Sequence, residues 1–485
     1  MITFQAGDLI RILPEIVLAA FAVLVMVFEP FLPAGRRSLL GWFSLFGVIA
    51  AAAATVRTSY SPGLAFGGSI AADRFSLYFI MLFLLVAALT LLGSFNYLER
   101  DNIHHGEFYA LILMATVGMC FMAASTELMM IFLGLEISSL STYVLAGFKR
   151  HDALANEASL KYFLLGSFAT AFFLYGIAFF YGLTGTTNLL ALRDRLAGHD
   201  GLSHWSTFGW VALVLMFIGV AFKVSTVPFH IWTPDVYQGA PAPVTAFLST
   251  GPKAAAFAIL LRLFLGAFVS AGSVGFWLIW VSAVLTMCVG NLAALWQTNV
   301  KRLLAYSAIA HAGYVLVGIA AGPKEGTVPV LFYLAVYALM NVAAFVLVAH
   351  LAGTGERWTR IEDFAGLGYE RPGVAACMTV LLLSLAGFPT TAGFFGKFFL
   401  FRAALHANLF GLTIAAVLMS VVSVYYYFRL IVVMYMSEGI PEAPAAPLPW
   451  ALRVALAVSV LGIFYLGLFP GDFLFLTSLA AVPLP

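Results

Sequence analysis

Apolar residues in this chain run in stretches of about twenty, the length that crosses a bilayer as a helix, with short polar connections between them. By that measure spans fall near 11–30, 37–56, 75–97, 106–124, 126–146, 159–184, 208–227, 242–266, 274–296, 302–321, 328–351, 373–401, 409–436 and 449–470, about fourteen in all. The longest polar connections, 185–207 and 352–372, have room for a short hairpin or amphipathic helix and nothing larger, and only about fifteen residues follow Pro470. Two spans meet a proline beside a lysine, in FIGVAFKVSTVPFH and LAGFPTTAGFFGKFFLF, which predicts helix breaks near Pro228 and Pro389. Each break comes fourth in a run of five spans, the fourth to eighth and the ninth to thirteenth. Paired interruptions at matching places are the sequence mark of an inverted-repeat transporter, and two tandem units of five spans must have opposite topology. The expected organisation is therefore 1–105 for the first three spans, 106–266 for the first repeat, 267–436 for the second, and 437–485 for a last span and short tail.

Composition agrees with this pattern. The 485 residues are 62% hydrophobic and 9% charged, against roughly 25% charged in soluble domains, so the fold class is an all-α polytopic membrane protein with two inverted five-helix repeats and two broken helices. A net charge of +2 from scattered residues makes no basic patch and excludes nucleic acid as a partner. Cys120, Cys288 and Cys377 lie in apolar runs without a CxxC pair, which reads as small core residues rather than disulfides, zinc or iron–sulfur ligands. The first apolar run carries Glu15 and Glu29 at its two ends and lacks a basic leader and a small-residue cleavage site, so it reads as a retained first helix. With both termini outside, the cytoplasmic connections hold eleven Arg and Lys and the outer ones seven, a bias that places the termini on the periplasmic side of a bacterial inner membrane.

Few charges then remain at bilayer depth: Lys161, Lys223, Lys253, Arg262, Lys397, Arg429 and one acid, Glu136 in LMMIFLGLEISSLSTYVL. A charge there costs roughly 3 kcal/mol on insertion scales, so such residues mark ion or proton paths. A buried lysine whose counter-charge moves can load and release a proton, and a row of them makes a relay. Arg262 and Arg429, near span ends, read more readily as snorkelling or structural side chains. His311 lies mid-span in KRLLAYSAIAHAGYVL with Tyr306 five residues earlier, and His230 follows the first break in VPFHIWTPDVYQGAPAPV. His350 and His406 sit at span ends. No second histidine faces His311 as haem ligation would require, and no GxxxxGK[ST] is present.

Four segments, LGLEISSLSTYVL, FKVSTVPFHIWTPDVYQGAPAPVTAFLS, KRLLAYSAIAHAGY and LSLAGFPTTAGFFGKFFLF, resemble the antiporter-like membrane subunits of respiratory complex I, a family shared with multisubunit sodium/proton antiporters. The resemblance covers almost the whole chain. It implies that Glu136 pairs with Lys223, that Lys161 lies between this pair and the next step, that Lys253 is the central bridge and that Lys397 is the exit-side lysine. His311, His230 and Tyr306 match polar positions along the same hydrated axis. Lys397 argues against the M-type subunit, which has glutamate there, and the short tail against the L-type with its lateral helix, leaving the third type. The implied function is proton translocation coupled to distant quinone reduction. FMN, iron–sulfur clusters, NADH and quinone would be handled by other subunits, with no cofactor on this chain. The implied partners are the M-type antiporter-like subunit, the small K- and J-type subunits and the lipid bilayer. Two alternatives stand beside it: a subunit of a sodium/proton antiporter, and a non-conducting structural subunit of the membrane arm.

Overall fold

The computed structural model describes residues 6–197, 205–438 and 447–481. Residues 198–204 of the 185–207 connection and 439–446 and 482–485 of the 437–485 segment thus lie outside the described residues. The helices that matter here are α1 (Leu13–Phe28), α2 (Ser38–Ser59), α3 (Arg74–Arg100), α4 (Gly106–Ala124), α5 (Leu128–Ala146), α6 (Ala153–Thr184), α7 (Thr207–Val224), α8 (Trp232–Gly239), α9 (Ala242–Leu248), α10 (Gly251–Arg262), α11 (Gly272–Leu295), α12 (Val300–Ala320), α13 (Gly322–Leu351), α14 (Pro372–Ala386), α15 (Ala392–His406), α16 (Phe410–Met436), α17 (Trp450–Leu468) and α18 (Pro470–Ala480). Among the described residues thirteen helices are long and apolar enough to cross a membrane. The remaining expected span, 373–401, is the pair of shorter helices α14 and α15. Helices dominate because hydrocarbon offers no partner for backbone N–H and C=O groups, which must be satisfied within the segment. One short antiparallel hairpin, β1 (Gly63–Ala65) with β2 (Ile70–Ala72), joins α2 to α3.

Side-chain caps set several starts. Asp73 accepts from Ser76 N at 2.7 Å and opens α3, Asp152 caps α6, and Asn299 caps α12. The Asp152 cap begins α6 six residues earlier than the apolar count suggests, because polar residues of the first turn do not stop a capped helix.

Both breaks fall where expected. Between α7 and α8 the chain leaves helical geometry at Ser225 (φ 66°) and resumes after Pro228; between α14 and α15 it does so at Gly387 (φ 87°) and Thr390 (φ 75°), on either side of Pro389. Two helix pairs share one packing feature. At the head of the first run of five, a Cβ on Gly118 of α4 would lie 2.6 Å from Gly134 O of α5, and one on Gly134 2.8 Å from Gly118 O. At the head of the second, Gly290 of α11 and Gly313 of α12 meet their partner backbones just as closely, at 2.6 Å and 2.8 Å. Small residues let two spans approach this way at both places.

At one end of the bundle a single carboxylate ties the two halves together. Glu356 accepts from Lys301 Nζ at 2.6 Å, from Ala242 N at the start of α9 at 2.8 Å, and from the Tyr97 hydroxyl. Lys149, 2.6 Å from Asp101, lies 3.9 Å from it. Burial opposes ionisation of Glu356, but Lys301 and Lys149 together hold it below the ordinary carboxylate range. Removing it strands Lys301, which is 1% exposed on its side chain. Glu356→Ala should therefore cost about 3 kcal/mol, read as a lower thermal midpoint in detergent. Because the folded-state value is depressed, the stabilisation is complete above the unfolded value of about 4.3 and is lost as pH falls through the folded one. Thermal midpoints measured between pH 7 and pH 3 should fall for the wild type and much less for the variant.

Candidate functional site

Lys223 ends α7 and is 4% exposed. Its ammonium donates to Ser139 Oγ of α5 at 2.9 Å and to the Tyr162 hydroxyl of α6 at 3.1 Å, and it sits 5.4 Å from the Tyr162 ring centre. Trp232, the first residue of α8, stacks on Tyr162 at 4.5 Å and donates its indole N–H to Phe222 O at 3.0 Å, which satisfies a carbonyl near the break.

Glu136 is not ion-paired with Lys223, contrary to expectation. It lies one turn before Ser139 on α5, half-buried, with Leu133 and Leu140 exposed on either side, and its Oε1 is buried without a partner. Residues three apart share a helix face, so Glu136 and Ser139 lie on the same side of α5, and it is Ser139 whose side chain reaches the lysine.

Lys161 is also placed differently. Its side chain is 41% exposed and bonds to Glu157 at 2.6 Å and Asp235 at 2.8 Å; Asp235 is in turn 2.7 Å from Arg302. Partial burial works against Asp235, yet Lys161 and Arg302 hold its carboxyl below the usual range. This four-member ion cluster joins α6, α8 and α12 at the protein surface, so Lys161 is a surface partner of Asp235 rather than an interior step. His230, in the broken segment, is half-buried with Nδ1 unpartnered, and burial pulls its imidazole below the ordinary histidine range. Tyr306 lies under the Arg302 guanidinium, 6.0 Å from ring centre, and faces away from His311. Five residues on a helix turn through about 500°, which puts Tyr306 and His311 on different faces.

The interior row is built from α10, α12, α13, α15 and α16. A third interruption, at Ser249–Thr250, precedes α10, and the Gly251-Pro252 pair starts the new helix one residue before Lys253. Lys253 is 2% exposed and donates to Ala308 O of α12 at 2.9 Å. Lys253, His311, Thr250 and Tyr337 line a cavity of about 10 Å³, near the least volume that holds a water molecule. His311 bonds through Nδ1 to the Tyr333 hydroxyl and through Nε2 to the Tyr427 hydroxyl at 3.0 Å, and Tyr427 bonds to Ser307. His311 lies close enough to both Lys253 and Lys397 for their charges to act on it.

Lys397 of α15 completes the row. It donates to Ala386 O at 2.9 Å and Ser420 Oγ at 3.1 Å and sits 5.1 Å from the Tyr314 ring centre. Ala386 is the last residue of α14, so the second break supplies an ammonium site from a helix C-terminus, where the macrodipole is negative. Tyr314 continues to Asn291 at 3.1 Å and Asn291 to Tyr426 at 3.1 Å. Lysines hold protons, while hydroxyls and imidazole both donate and accept; alternated in a sealed interior, they can pass a proton along. Among the described residues no three His, Cys, Asp or Glu side chains converge as metal ligands would. Sequence reasoning missed Ser139, which sits in the same segment as Glu136, and Tyr162, Tyr333 and Tyr427, which carry no signal beyond being aromatic in a span.

Residues 125–423, which include both broken segments and all three interior lysines, match the family described as NADH:quinone oxidoreductase/Mrp antiporter, TM. The NADH-quinone oxidoreductase subunit N 1 of Solibacter usitatus (strain Ellin6076) is 50% identical over 469 residues, covering 96% of this chain and 96% of that protein. A chain of respiratory complex I from Thermus thermophilus with bound Aureothin is 36% identical and superposes with a TM-score of 0.81 over 97% of this chain and 100% of that one. A chain of the Mrp complex from Dietzia sp. DQ12-45-1b shares the fold, with a TM-score of 0.86 over 98% of this chain and 97% of that one at 22% identity.

Proposed function

The chain belongs to the NADH:quinone oxidoreductase/Mrp antiporter family of membrane subunits, among its subunit N members, and from that premise we propose that it carries protons across the membrane arm of an NADH:quinone oxidoreductase. The observation that supports this most is the buried row Lys253–His311–Lys397, in which one histidine bonds to two tyrosine hydroxyls, shares a small cavity with Lys253 and feels the charge of Lys397. Lys223 with Ser139 and Tyr162 forms the first station, with Glu136 one turn away on α5. Asp235, Lys161 and Arg302 form the polar mouth beside the first break. Energy enters as a conformational or electrostatic change from a distant quinone site, and the redox groups belong to other subunits. Residues 106–266 and 267–436 act as the two half-channels. The neighbours in the arm are an M-type antiporter-like subunit and small K- and J-type subunits, in a bacterial inner membrane with both termini periplasmic.

The likeness in fold to an Mrp complex supports a second reading, a sodium/proton antiporter subunit. Purification of the assembly around a tagged chain separates the two. Co-purifying NADH:quinone reductase activity that acidifies the vesicle lumen in sodium-free buffer supports the first; an assembly without that activity, exchanging sodium for protons, overturns it.

A further inference from the structure

The first span holds a carboxylate that the lysine row does not use. Glu15 of α1 is 2% exposed, and neither of its oxygens has a hydrogen-bond partner. Its position near the start of the span suggests a side chain reaching water, but α1 packs against α2 and α4 there and encloses it. Arg11, four residues earlier, is committed elsewhere, to Asp8 at 3.2 Å and to Leu64 O at 2.9 Å. The titratable group near Glu15 is the Cys120 thiol of α4, close enough for the charge of Glu15 to act on it. No cation among the described residues lies within ion-pair distance of it. The other acids at the ends of these helices differ: Glu29 accepts from Gly106 N at 2.8 Å, and Glu107 pairs with Arg150 at 2.8 Å.

We infer that Glu15 is a second proton-binding site, separate from the lysine row, where a carboxylic acid keeps its proton at neutral pH inside the α1–α2–α4 packing. An ionised carboxylate enclosed among apolar helices with no cation in ion-pair reach is strongly disfavoured, while the neutral acid is an acceptable neighbour for apolar side chains. At 2% exposure neither lipid nor a partner chain can supply a counter-charge unless α1 lifts from α4. Proton occupancy is thereby linked to the seating of the first helix: the acid form lets α1 close on α4, and loss of the proton favours parting. Ionisable residues in spans are functional by default because an apolar residue would serve packing better.

The test uses the whole complex in membranes. An infrared difference spectrum, wild type minus Glu15→Gln at pH 7.5, should show a protonated-carboxyl C=O band belonging to Glu15; its absence overturns the site. Where the variant fails to assemble, dicyclohexylcarbodiimide decides on the wild type alone. The reagent takes the carboxyl proton on one nitrogen and the carboxylate oxygen on its central carbon. The acyl group then shifts to nitrogen, and nothing leaves, so the peptide gains the mass of the whole reagent. Labelling of Glu15 should exceed that of Glu29 and Glu107 by more than about tenfold, because the reaction starts from the protonated acid. Labelling no faster than at those two acids overturns the proposal.

Discussion

Lys253→Met should abolish proton transfer and leave the protein at least as stable as before. The ammonium is 2% exposed, with Ala308 O its hydrogen-bond partner at 2.9 Å. Methionine matches its length, fills the same space and removes a buried charge, a change that is often neutral or stabilising, by up to about 4 kcal/mol. A residue kept only for packing would therefore be improved by the substitution. If Lys253 instead hands protons to His311 across the small cavity they share, the row is cut and the initial rate of proton uptake drops by more than about tenfold, as a rise of more than roughly 1.4 kcal/mol in the barrier implies. Thermal midpoint and pumping rate, measured on one preparation, should move in opposite directions. A midpoint that falls together with the rate would mean that Lys253 is structural.

Lys397→Arg should be nearly as damaging as Lys397→Ala. Arginine keeps the positive charge and can still donate to Ala386 O and Ser420 Oγ, which hold the ammonium at 2.9 and 3.1 Å. An electrostatic anchor would survive the exchange. A proton station would not, because a guanidinium stays charged at every working pH. The site is tight, with a Cβ built on Gly387 lying 3.1 Å from the lysine chain, so incorporation into the complex is checked by quantifying the subunit in membranes before rates are compared. Both variants should lose proton uptake while NADH oxidation by the partner subunits continues. Normal uptake by the arginine variant would restrict Lys397 to an anchoring role.

The fold was legible in the sequence to a degree unusual for soluble proteins, because the bilayer imposes one rule on every span. Proline next to lysine located both breaks, and Lys223, Lys253 and Lys397 proved to be 4% exposed or less. Partner choice was not legible. Glu136 is the one acid that the pattern places at bilayer depth, yet the partners of Lys223 are Ser139 and Tyr162. Lys161 was read as interior from its place in an apolar run, while Asp235, 74 positions on, holds it at the surface. The tyrosines around His311 come from α13 and α16, and nothing in a single chain's pattern says which aromatic of a span turns inward. The interruption before Lys253 had a signal, the Gly251-Pro252 pair, hidden within an otherwise continuous apolar run. Glu15 shows the reverse case: a residue at a span end, ordinary by position, becomes enclosed only through tertiary packing.

The number of protons translocated per NADH oxidised, in vesicles carrying the assembled complex with Lys253→Met beside the wild type, tests the lysine row most directly. The account predicts a lower ratio for the variant in coupled vesicles, with NADH oxidation retained once the membrane is made proton-permeable. An unchanged ratio in a fully incorporated variant would contradict it.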